Sequence, residues 1–311
     1  MSRYLAGRLV VMIPTIVVLS LVLFVLMRLT PGSPLQPIAP NANPLSPEAQ
    51  EALAKEWGLD KPIMEQYAVY VWKALQLDFG MSYYYKTRSV TEILGPTLPV
   101  SLHLGLMALT IAVIVGVTLG VLAATHRNGG FDYLCTFIAM IGVSVPNFVM
   151  AIVFILIFVL GLKVIPYTGG WENPVDWIMP TIVLSLGPLA IIARYTRSSM
   201  IEAISSDYVR TARAKGATER RVMMYHVLKN ALIPPLTIMG PLVAAVATGS
   251  PFVEIIFRVP GMGRYFVESV LARDYPVIMA VFLFYGVFLQ LMNLVVDVLY
   301  GVVDPRIRFD G

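Results

Sequence analysis

Six long apolar runs constrain this chain more than any other feature of its sequence. A helix needs about 20 consecutive apolar residues to cross the ~30 Å hydrocarbon core of a bilayer, so such runs predict membrane spans. The composition agrees, since 57% of the residues are hydrophobic and only 14% are charged. The predicted spans are 9–28, 99–124, 133–161, 177–196, 233–257 and 276–301. We therefore expect an all-α polytopic membrane protein with six transmembrane helices.

The long segment between the first two spans predicts a folded external cap. Its first part is rich in proline. Ser46 and Pro47 then predict the start of a helix, because serine caps helices and proline suits their first position. Apolar residues from Pro62 to Leu77 recur at helical spacing. The expected organisation is the N-terminus and first helix in 1–28, an external segment in 29–98, a core membrane domain with the other five predicted helices in 99–303 and a tail in 304–311.

Lysine and arginine in the short loops predict that both termini are cytoplasmic. Short cytoplasmic loops of membrane proteins are enriched in these cations, whereas long loops are translocated largely regardless of charge. The opposite side carries only Lys163, Arg258, Arg264 and Arg273 in its short loops. The cations on the side of the termini are Arg3, Arg8, Arg127, Arg194, Arg197, Arg210, Arg213, Lys215, Arg220, Arg221, Lys229, Arg306 and Arg308.

The sequence lacks the motifs that would make the chain an ATPase, a hydrolase or a metalloenzyme. No lysine follows a glycine, so the phosphate-binding motif GxxxxGK[ST] is absent. The motifs HExxH, CxxC and GxSxG are also absent. We therefore predict no catalytic residue, no metal ligand and no bound cofactor in this chain. If the protein works with ATP, another polypeptide must hydrolyse it.

One polar, basic segment, residues 197–232, separates the fourth and fifth apolar runs. Asp207 to Lys215 predicts a short helix whose acidic residue is N-terminal and whose cations are C-terminal, as the helix dipole favours. Gly216 predicts a left-handed stop, and Thr218 begins a second helical run. Two interpretations remain open at this point. The segment is either a lever that a soluble partner grips, or a solvated basic loop that only enforces topology.

The same segment resembles the EAA loop of ABC importer permeases, in the variant of the dipeptide/oligopeptide/nickel group. The general pattern has Glu-Ala-Ala where this chain has Arg210-Thr211-Ala212, as the peptide subgroup does. The resemblance extends over the whole chain and fits the B-type permease subunit of the group. The blocks that carry it are Arg8-Leu9, Ile13-Pro14-Thr15, 28–32, 58–62, Asp78-Phe79-Gly80, Ser82, Gly142, 144–146, Phe148, 210–216, His226, 229–234, 253–257, 260–263, 272–276 and 304–308.

The resemblance implies a type I importer permease fold and a set of partners. These are a homologous second permease subunit, two ATP-binding subunits that hold ATP and magnesium, an extracytoplasmic peptide-binding protein and the lipid bilayer of the cell membrane. No nucleic acid is expected. The resemblance also assigns a coupling helix that enters a cleft of the ATPase subunit and has Gly216 as its hinge. Its residues are Asp207, Tyr208, Arg210, Thr211, Ala212, Arg213, Lys215 and Gly216.

Glu254 is an ionisable residue near the external end of the fifth predicted span. Such residues mark functional sites by default, because burying an unpaired charge in the membrane is costly. Glu254 is therefore a candidate pathway or gate residue, together with Pro260, Gly261 and Gly263 of the block that follows. The structural alternative is an ion pair with Arg258 or Arg264.

Three alternative hypotheses compete with peptide import. The same machinery could carry nickel or oligosaccharides, which this permease group also handles. An ion-coupled secondary transporter would need membrane carboxylates and an internal repeat, but the predicted spans are nearly free of acidic residues apart from Glu254 and Asp297. An intramembrane enzyme would need a paired nucleophile and base or a set of metal ligands.

Overall fold

The computed structural model describes residues 2–30, 32–33, 35, 46–166, 169–247 and 250–303, and these residues are mostly helical. The predicted tail, 304–311, lies outside the described residues. An isolated antiparallel bridge joins Met81 and Ser89. The helices are α1 (Ser2–Leu29), α2 (Pro47–Glu56), α3 (Ile63–Leu75), α4 (Val90–Thr125), α5 (Gly130–Ser144), α6 (Asn147–Phe154, continued by the π-helix Ile155–Gly161), α7 (Pro174–Ile204), α8 (Asp207–Ala214), α9 (Glu219–Arg221, continued by the π-helix Val222–Leu228), α10 (Lys229–Ala231), α11 (Ile233–Ala247), α12 (Pro251–Ile256), α13 (Met262–Ala272) and α14 (Tyr275–Val303).

Six membrane spans are present if bent helix pairs are counted as single spans. Four helices, α1, α4, α7 and α14, are each long and apolar enough to cross a membrane. The fifth candidate joins α5 to α6 and its π-helical extension, with a bend of 111°. The sixth joins Glu219–Ala231 to Ile233–Val246, with a bend of 47°. The predicted all-α fold and the number of spans are confirmed on this count.

The third predicted span, 133–161, is wrong as a single straight helix. α5 ends at Ser144, Val145 is extended with φ −96° and ψ 122°, and α6 starts after Pro146. The cause is local, because a proline disfavours the helical conformation of the residue before it and has no N–H to donate. The bend therefore follows from the Val145-Pro146 pair.

α4, which corresponds to the second predicted span, starts earlier than the boundary predicted at residue 99. α4 begins at Val90 because Ser89 and Glu92 form a capping box: the Glu92 amide donates to Ser89 Oγ at 3.2 Å, and the Ser89 amide donates to Glu92 Oε2 at 2.8 Å. Pro96 and Pro99 lie within this helix. Hydropathy alone did not reveal this polar first turn.

The fifth predicted span, 233–257, is also interrupted. α11 ends at Ala247, and α12 starts at Pro251 with Ser250 as its N-cap residue. The candidate span instead includes Glu219–Ala231 and ends at Val246. Proline in the first turn of α12 explains the restart, since its missing N–H would have no helical partner there anyway.

The chain divides into two compact units, which are described separately. Unit A comprises the described residues of Ser101–Pro260 and of the chain from Leu289 to the end of α14, and unit B comprises the described residues of Ser2–Val100 and Gly261–Phe288. In unit B, buried residues of α1 such as Leu23, Phe24 and Met27 pack against Ile278 and Met279 of α14.

In unit A, α7 packs closely against α4 and α5 at glycines. A Cβ atom added at Gly120 would lie 2.6 Å from Thr196 Cβ and 2.7 Å from the carbonyl oxygen of Ala193. A Cβ at Gly142 would lie 2.7 Å from the carbonyl oxygen of Leu186. Small residues let helix backbones approach one another, which is how helices gain packing energy in lipid. These glycines are therefore required by contact with α7.

Gly120→Ala should destabilise the protein by about 1–3 kcal/mol, because the new methyl group overlaps backbone atoms of α7 that cannot rotate away. Gly95 lies in the same helix and has no atom within 4 Å of an added Cβ. Gly95→Ala is thus the matched control and should be neutral or stabilising by about 0.5–1 kcal/mol. Thermal unfolding in detergent measures both changes. Equal midpoints for the two variants would contradict the packing assigned to Gly120.

Candidate functional site

The basic segment folds as the sequence predicts, with a short helix and a left-handed stop. α8 covers Asp207–Ala214, and Gly216 has φ +78°. The amide of Gly216 donates to the carbonyl oxygen of Arg213 at 2.9 Å, and that of Ala217 donates to Ala212 at 3.3 Å. These bonds satisfy the last carbonyls of α8, as a glycine after a helix commonly allows.

The inner face of α8 is anchored in an apolar cluster of unit A. Val209 is 0% exposed and Ala212 is 8% exposed. They pack with residues from the ends of several helices, which we call the α8 cluster. Its members are Ala124, Met200, Ala203, Val209, Ala212, Val222, Val227 and Ala231. The segment is therefore a docked helix and not a loosely tethered solvated loop.

The outer face of α8 carries the other residues that the resemblance assigned to coupling. Tyr208 is 42% exposed. The remaining exposed residues of this face are Asp207, Arg210, Thr211, Arg213 and Lys215. The buried exception is Ala212, so the coupling set divides into an anchoring side and a solvent side.

Both cations of α8 have partners within the chain. Arg213 makes a bidentate pair with Glu219, with distances of 3.1 Å from Nε to Oε2 and 2.6 Å from Nη2 to Oε1. Arg210 contacts Asp207 at 3.2 Å. Lys215, the C-cap residue of α8, has no side-chain partner among the described residues. The left-handed turn at Gly216 reverses the chain and brings Glu219 back to Arg213. The ion pair between these two side chains stabilises the turn and is called the brace below.

Sequence reasoning missed an ion pair made by the first residue of this segment. Asp132, in the first turn of α5, accepts from Arg197 Nε at 2.5 Å and from Nη2 at 2.8 Å, and its Oδ2 accepts from the Asn128 amide at 2.9 Å. The Asp132 side chain is 4% exposed and that of Arg197 is 32% exposed. Arg197 thus links α7 to α5. From the sequence, the charge of Arg197 predicted only which side of the membrane this part of the chain faces.

Glu254 is fully buried in unit A, and Ser101 of α4 donates a hydrogen bond to its Oε1 at 2.9 Å. Of the two structural partners that the sequence suggested, Arg258 and Arg264, the second binds Glu268 at 2.8 Å. A buried carboxylate is tolerated only when hydrogen bonds replace its hydration. Ser101 supplies one such bond, and it lies 153 residues away in sequence, beyond any local signal.

The other pathway candidates lie around the start of α13. Pro260 is exposed, whereas Gly261 and Gly263 are buried. Gly261 is the N-cap residue of α13, with φ −96° and ψ −179°, which is ordinary extended backbone. Its backbone conformation alone does not require glycine.

Unit B contains a second missed arrangement, which we call the clasp: Ser82, Tyr85, Arg264, Glu268 and Asp274. Asp274 is 0% exposed and accepts hydrogen bonds from the Ser82 hydroxyl and from the amides of Tyr83, at 3.0 Å, and Tyr84, at 3.2 Å. The Tyr85 hydroxyl donates to Glu268, which also binds Arg264. The clasp ties the loop before α4 to α13 and the residues that follow it.

Residues 116–309 match the family described as "Binding-protein-dependent transport system inner membrane component". The chain belongs to this family. It is 44% identical over 308 residues to the "Dipeptide transport system permease protein DppB" of Bacillus subtilis (strain 168), covering 99% of this chain and 98% of that protein. It is 41% identical over 311 residues to the "Oligopeptide transport system permease protein OppB" of Escherichia coli (strain K12), covering 99% of this chain and all of that protein.

The fold also resembles a solved permease. A chain from an inward-facing structure of the MetNI methionine ABC transporter aligns with a TM-score of 0.57 at 17% identity. The alignment covers 68% of this chain and 96% of that one. At this identity the likeness concerns the fold alone, and it supports the type I importer permease fold. The protein is thus a membrane-embedded permease subunit of an ABC importer, and permeases of this family are not themselves enzymes.

Replacing Arg197 of the permease with alanine should destabilise it by about 2–4 kcal/mol, because Asp132 would remain buried without its cation. Asp132→Ala combined with Arg197→Ala should recover part of this loss, since no uncompensated charge is left. Chemical unfolding of the two single variants and the double variant gives the coupling energy. Strictly additive losses would show that the two side chains do not stabilise one another.

The clasp should make the stability of this permease depend on pH in the acid range. Burial alone would raise the pKa of Glu268, but hydrogen bonds from Tyr85 and Arg264 outweigh it and hold the pKa below its ordinary 4.5. Ionised Glu268 therefore contributes stability that is fully present above about pH 4.5 and is lost as the pH falls through the lower folded-state pKa.

Glu268→Gln should thus cost about 0.5–1 kcal/mol near pH 7, a modest value because Arg264 is largely exposed. The difference from the unmodified protein should vanish at the acid end of a series of unfolding curves between pH 3 and 7. Glu51→Gln, at an exposed carboxylate of α2, is the control and should give no such trend. A constant Glu268→Gln effect across the series would refute the assignment.

Proposed function

We propose that this permease forms half of the translocation pathway of an ATP-driven importer of di- or oligopeptides. The observation that carries the proposal is its full-length similarity to relatives named as dipeptide and oligopeptide permeases. Nickel and oligosaccharides are the alternative cargoes for the same machinery. An ion-coupled secondary transporter is a third hypothesis, which the family membership disfavours.

The proposed assembly contains this chain, a homologous second permease, two ATP-binding subunits and an extracytoplasmic peptide-binding protein. ATP and magnesium would bind only to the ATP-binding subunits, and the chain itself would catalyse nothing. Both termini would be cytoplasmic in the cell membrane. The excess of cations on that side in short loops supports this orientation. The domain boundaries 1–28, 29–98, 99–303 and 304–311 are part of the same proposal.

α8 is the proposed coupling helix, and the α8 cluster supports a mechanism for it. The cluster joins α8 to Met200 of α7, Ala124 of α4 and Ala231 of α10. Close-packed side chains transmit displacement because they have little room to deform. A force on the exposed face of α8 would therefore move the ends of α4 and α7. Closure of the ATPase subunits would open the pathway outward, and hydrolysis would reset it.

Uptake assays test the cargo. Cells with and without this gene are given labelled di- and oligopeptides of increasing length, with labelled nickel in parallel. We expect peptide uptake to be lost on deletion, and the length series to separate dipeptide from oligopeptide transport. If peptide uptake stayed intact and nickel uptake were lost, the cargo would be nickel and not peptide, and the proposal of an ATP-driven importer would stand. Collapse of uptake on dissipating the ion gradient, with ATP maintained, would favour a secondary transporter.

Gly216→Val should leave the protein inserted but uncouple uptake from ATP hydrolysis. A β-branched residue at positive φ is strained by about 1–2 kcal/mol, so the turn after α8 would deform. Arg213→Glu should have the same effect, because it breaks the brace to Glu219 and reverses a charge on the proposed docking face. ATPase activity and uptake by the reconstituted complex, normalised to inserted permease, measure the uncoupling.

A charge swap separates the two roles of Arg213. Arg213→Glu with Glu219→Arg restores the internal pair but leaves an altered charge pattern on α8. Uptake that stays low in the swap indicates docking through Arg213, whereas full recovery assigns it to bracing alone. Arg88→Glu, at an exposed cation of unit B, controls for net charge. Unchanged uptake in both Gly216→Val and Arg213→Glu would eliminate α8 as the coupling helix.

Glu254, with Pro260, Gly261 and Gly263, remains our proposed set of pathway or gate residues. Glu254→Gln keeps the size of the side chain and an oxygen that can accept from Ser101, but removes the charge. If the carboxylate attracts the amino group of a peptide, KM for uptake should rise several-fold. Normal kinetics would assign Glu254 to structure and remove it from the pathway.

A further inference from the structure

Unit B contains a cavity of about 600 Å³ that the proposed transport mechanism does not use. Its walls come from the end of α1, from α2 and α3, from the loop before α4, and from the first residues of α14. The cavity is large enough for a polar headgroup with the adjoining part of an apolar chain. All of its lining residues belong to unit B.

The polar side of this cavity carries a surplus of cations. Arg28, Lys55, Lys61 and Lys73 line it together with the acidic residues Glu56 and Asp78. Lys61 pairs with Glu65, whereas the side chains of Lys55 and Lys73 have no hydrogen-bond or ion-pair partner among the described residues. Tyr70 lines it as well, and its buried hydroxyl has no hydrogen-bond partner in the described part of the chain. A buried unpaired hydroxyl is costly, so these groups favour an anionic ligand that also accepts a hydrogen bond.

The apolar side lies at the depth of the membrane. Phe24 and Met27 belong to the candidate span Gly7–Leu29, and Met279 belongs to Tyr275–Val298. α3 is fastened to the first of these spans, because the Tyr67 hydroxyl lies 2.8 Å from Ser20 Oγ and donates to the carbonyl oxygen of Val17 at 3.2 Å. The cavity thus extends from an apolar wall, formed by residues of these two spans, to the cations near the end of α1.

The outward side of α3 fits the same location. Met64, Trp72 and Leu75 are 77%, 67% and 74% exposed. Large apolar residues on a helix that also carries lysine are typical of helices lying in a membrane interface. Arg28 ends the apolar run of α1 and has its guanidinium carbon 5.5 Å from the Phe24 ring centroid, at the level where phosphate headgroups lie.

We propose that this cavity binds an anionic phospholipid, with its phosphate at Arg28, Lys55, Lys73 and the Tyr70 hydroxyl, and its acyl chains along Phe24, Met27 and Met279. Under the proposed orientation this lipid belongs to the outer leaflet. The wall formed by two membrane spans favours a lipid over a soluble anion or a cargo peptide, because acyl chains already occupy that depth.

Native mass spectrometry of the full-length chain in detergent tests the proposal with phosphatidylglycerol and phosphatidylcholine of identical acyl chains. Phosphatidylglycerol should bind at least about tenfold more tightly, since each cation near a lipid surface contributes roughly 1 kcal/mol. Arg28→Gln with Lys73→Gln should lower that affinity by about tenfold or more and leave phosphatidylcholine unaffected. Tyr70→Phe should lower it by about tenfold through loss of one charge-assisted hydrogen bond.

Lys86→Gln with Arg88→Gln is the matched control, because it removes the same charge from exposed positions of unit B that do not line the cavity. This control should retain full affinity. If Arg28→Gln fails to fold, Lys55→Gln with Lys73→Gln replaces it. Equal affinity for the two lipids, or equal loss in the lining and control variants, would overturn the proposal. Displacement of the lipid by millimolar inorganic phosphate or by a dipeptide would assign the cavity to a soluble anion or to cargo instead.

Discussion

Contact between α7 and the glycines of its neighbours is the interaction on which unit A depends. In lipid, two apolar helices gain little by leaving the solvent, so they must gain from close packing. Gly120 and Gly142 bring two other helices against carbonyl oxygens of α7 at distances that exclude a Cβ atom. α7 is therefore the element around which α4 and α5 are positioned, and the ends of these helices give α8 its place.

The α8 cluster extends this packing to a helix without enough apolar residues to be stable alone. α8 has only eight residues, and isolated helices of that length are not stable in water. Val209 and Ala212 supply the burial, while Gly216 and the pair between Arg213 and Glu219 define how the chain turns back. The same division leaves the polar face of α8 exposed, and this is the face on which the proposed coupling would act.

The buried carboxylates show where sequence reasoning succeeded and where it could not. Glu254 was identified from its charge in an apolar segment, but its contact with Ser101 spans 153 residues. Asp132 and Arg197 are 65 residues apart, and Ser82 and Asp274 are 192 apart. A buried charge must find partners, yet the periodicity of one helix contains no information about which distant residue supplies them. The clasp and the pair of Asp132 with Arg197 were missed for that reason.

The sequence by itself determined the all-α class, the number of spans, the start of α2 after its N-cap residue Ser46 and the left-handed stop at Gly216. Each of these depends on backbone hydrogen bonds and conformational preferences that act within a few residues. The pairing of Asp132 with Arg197, the contact of Glu254 with Ser101 and the cavity of unit B were decided only by the tertiary structure. Their geometry depends on which helices meet, and that is set by close packing and charge pairing between residues far apart in the chain.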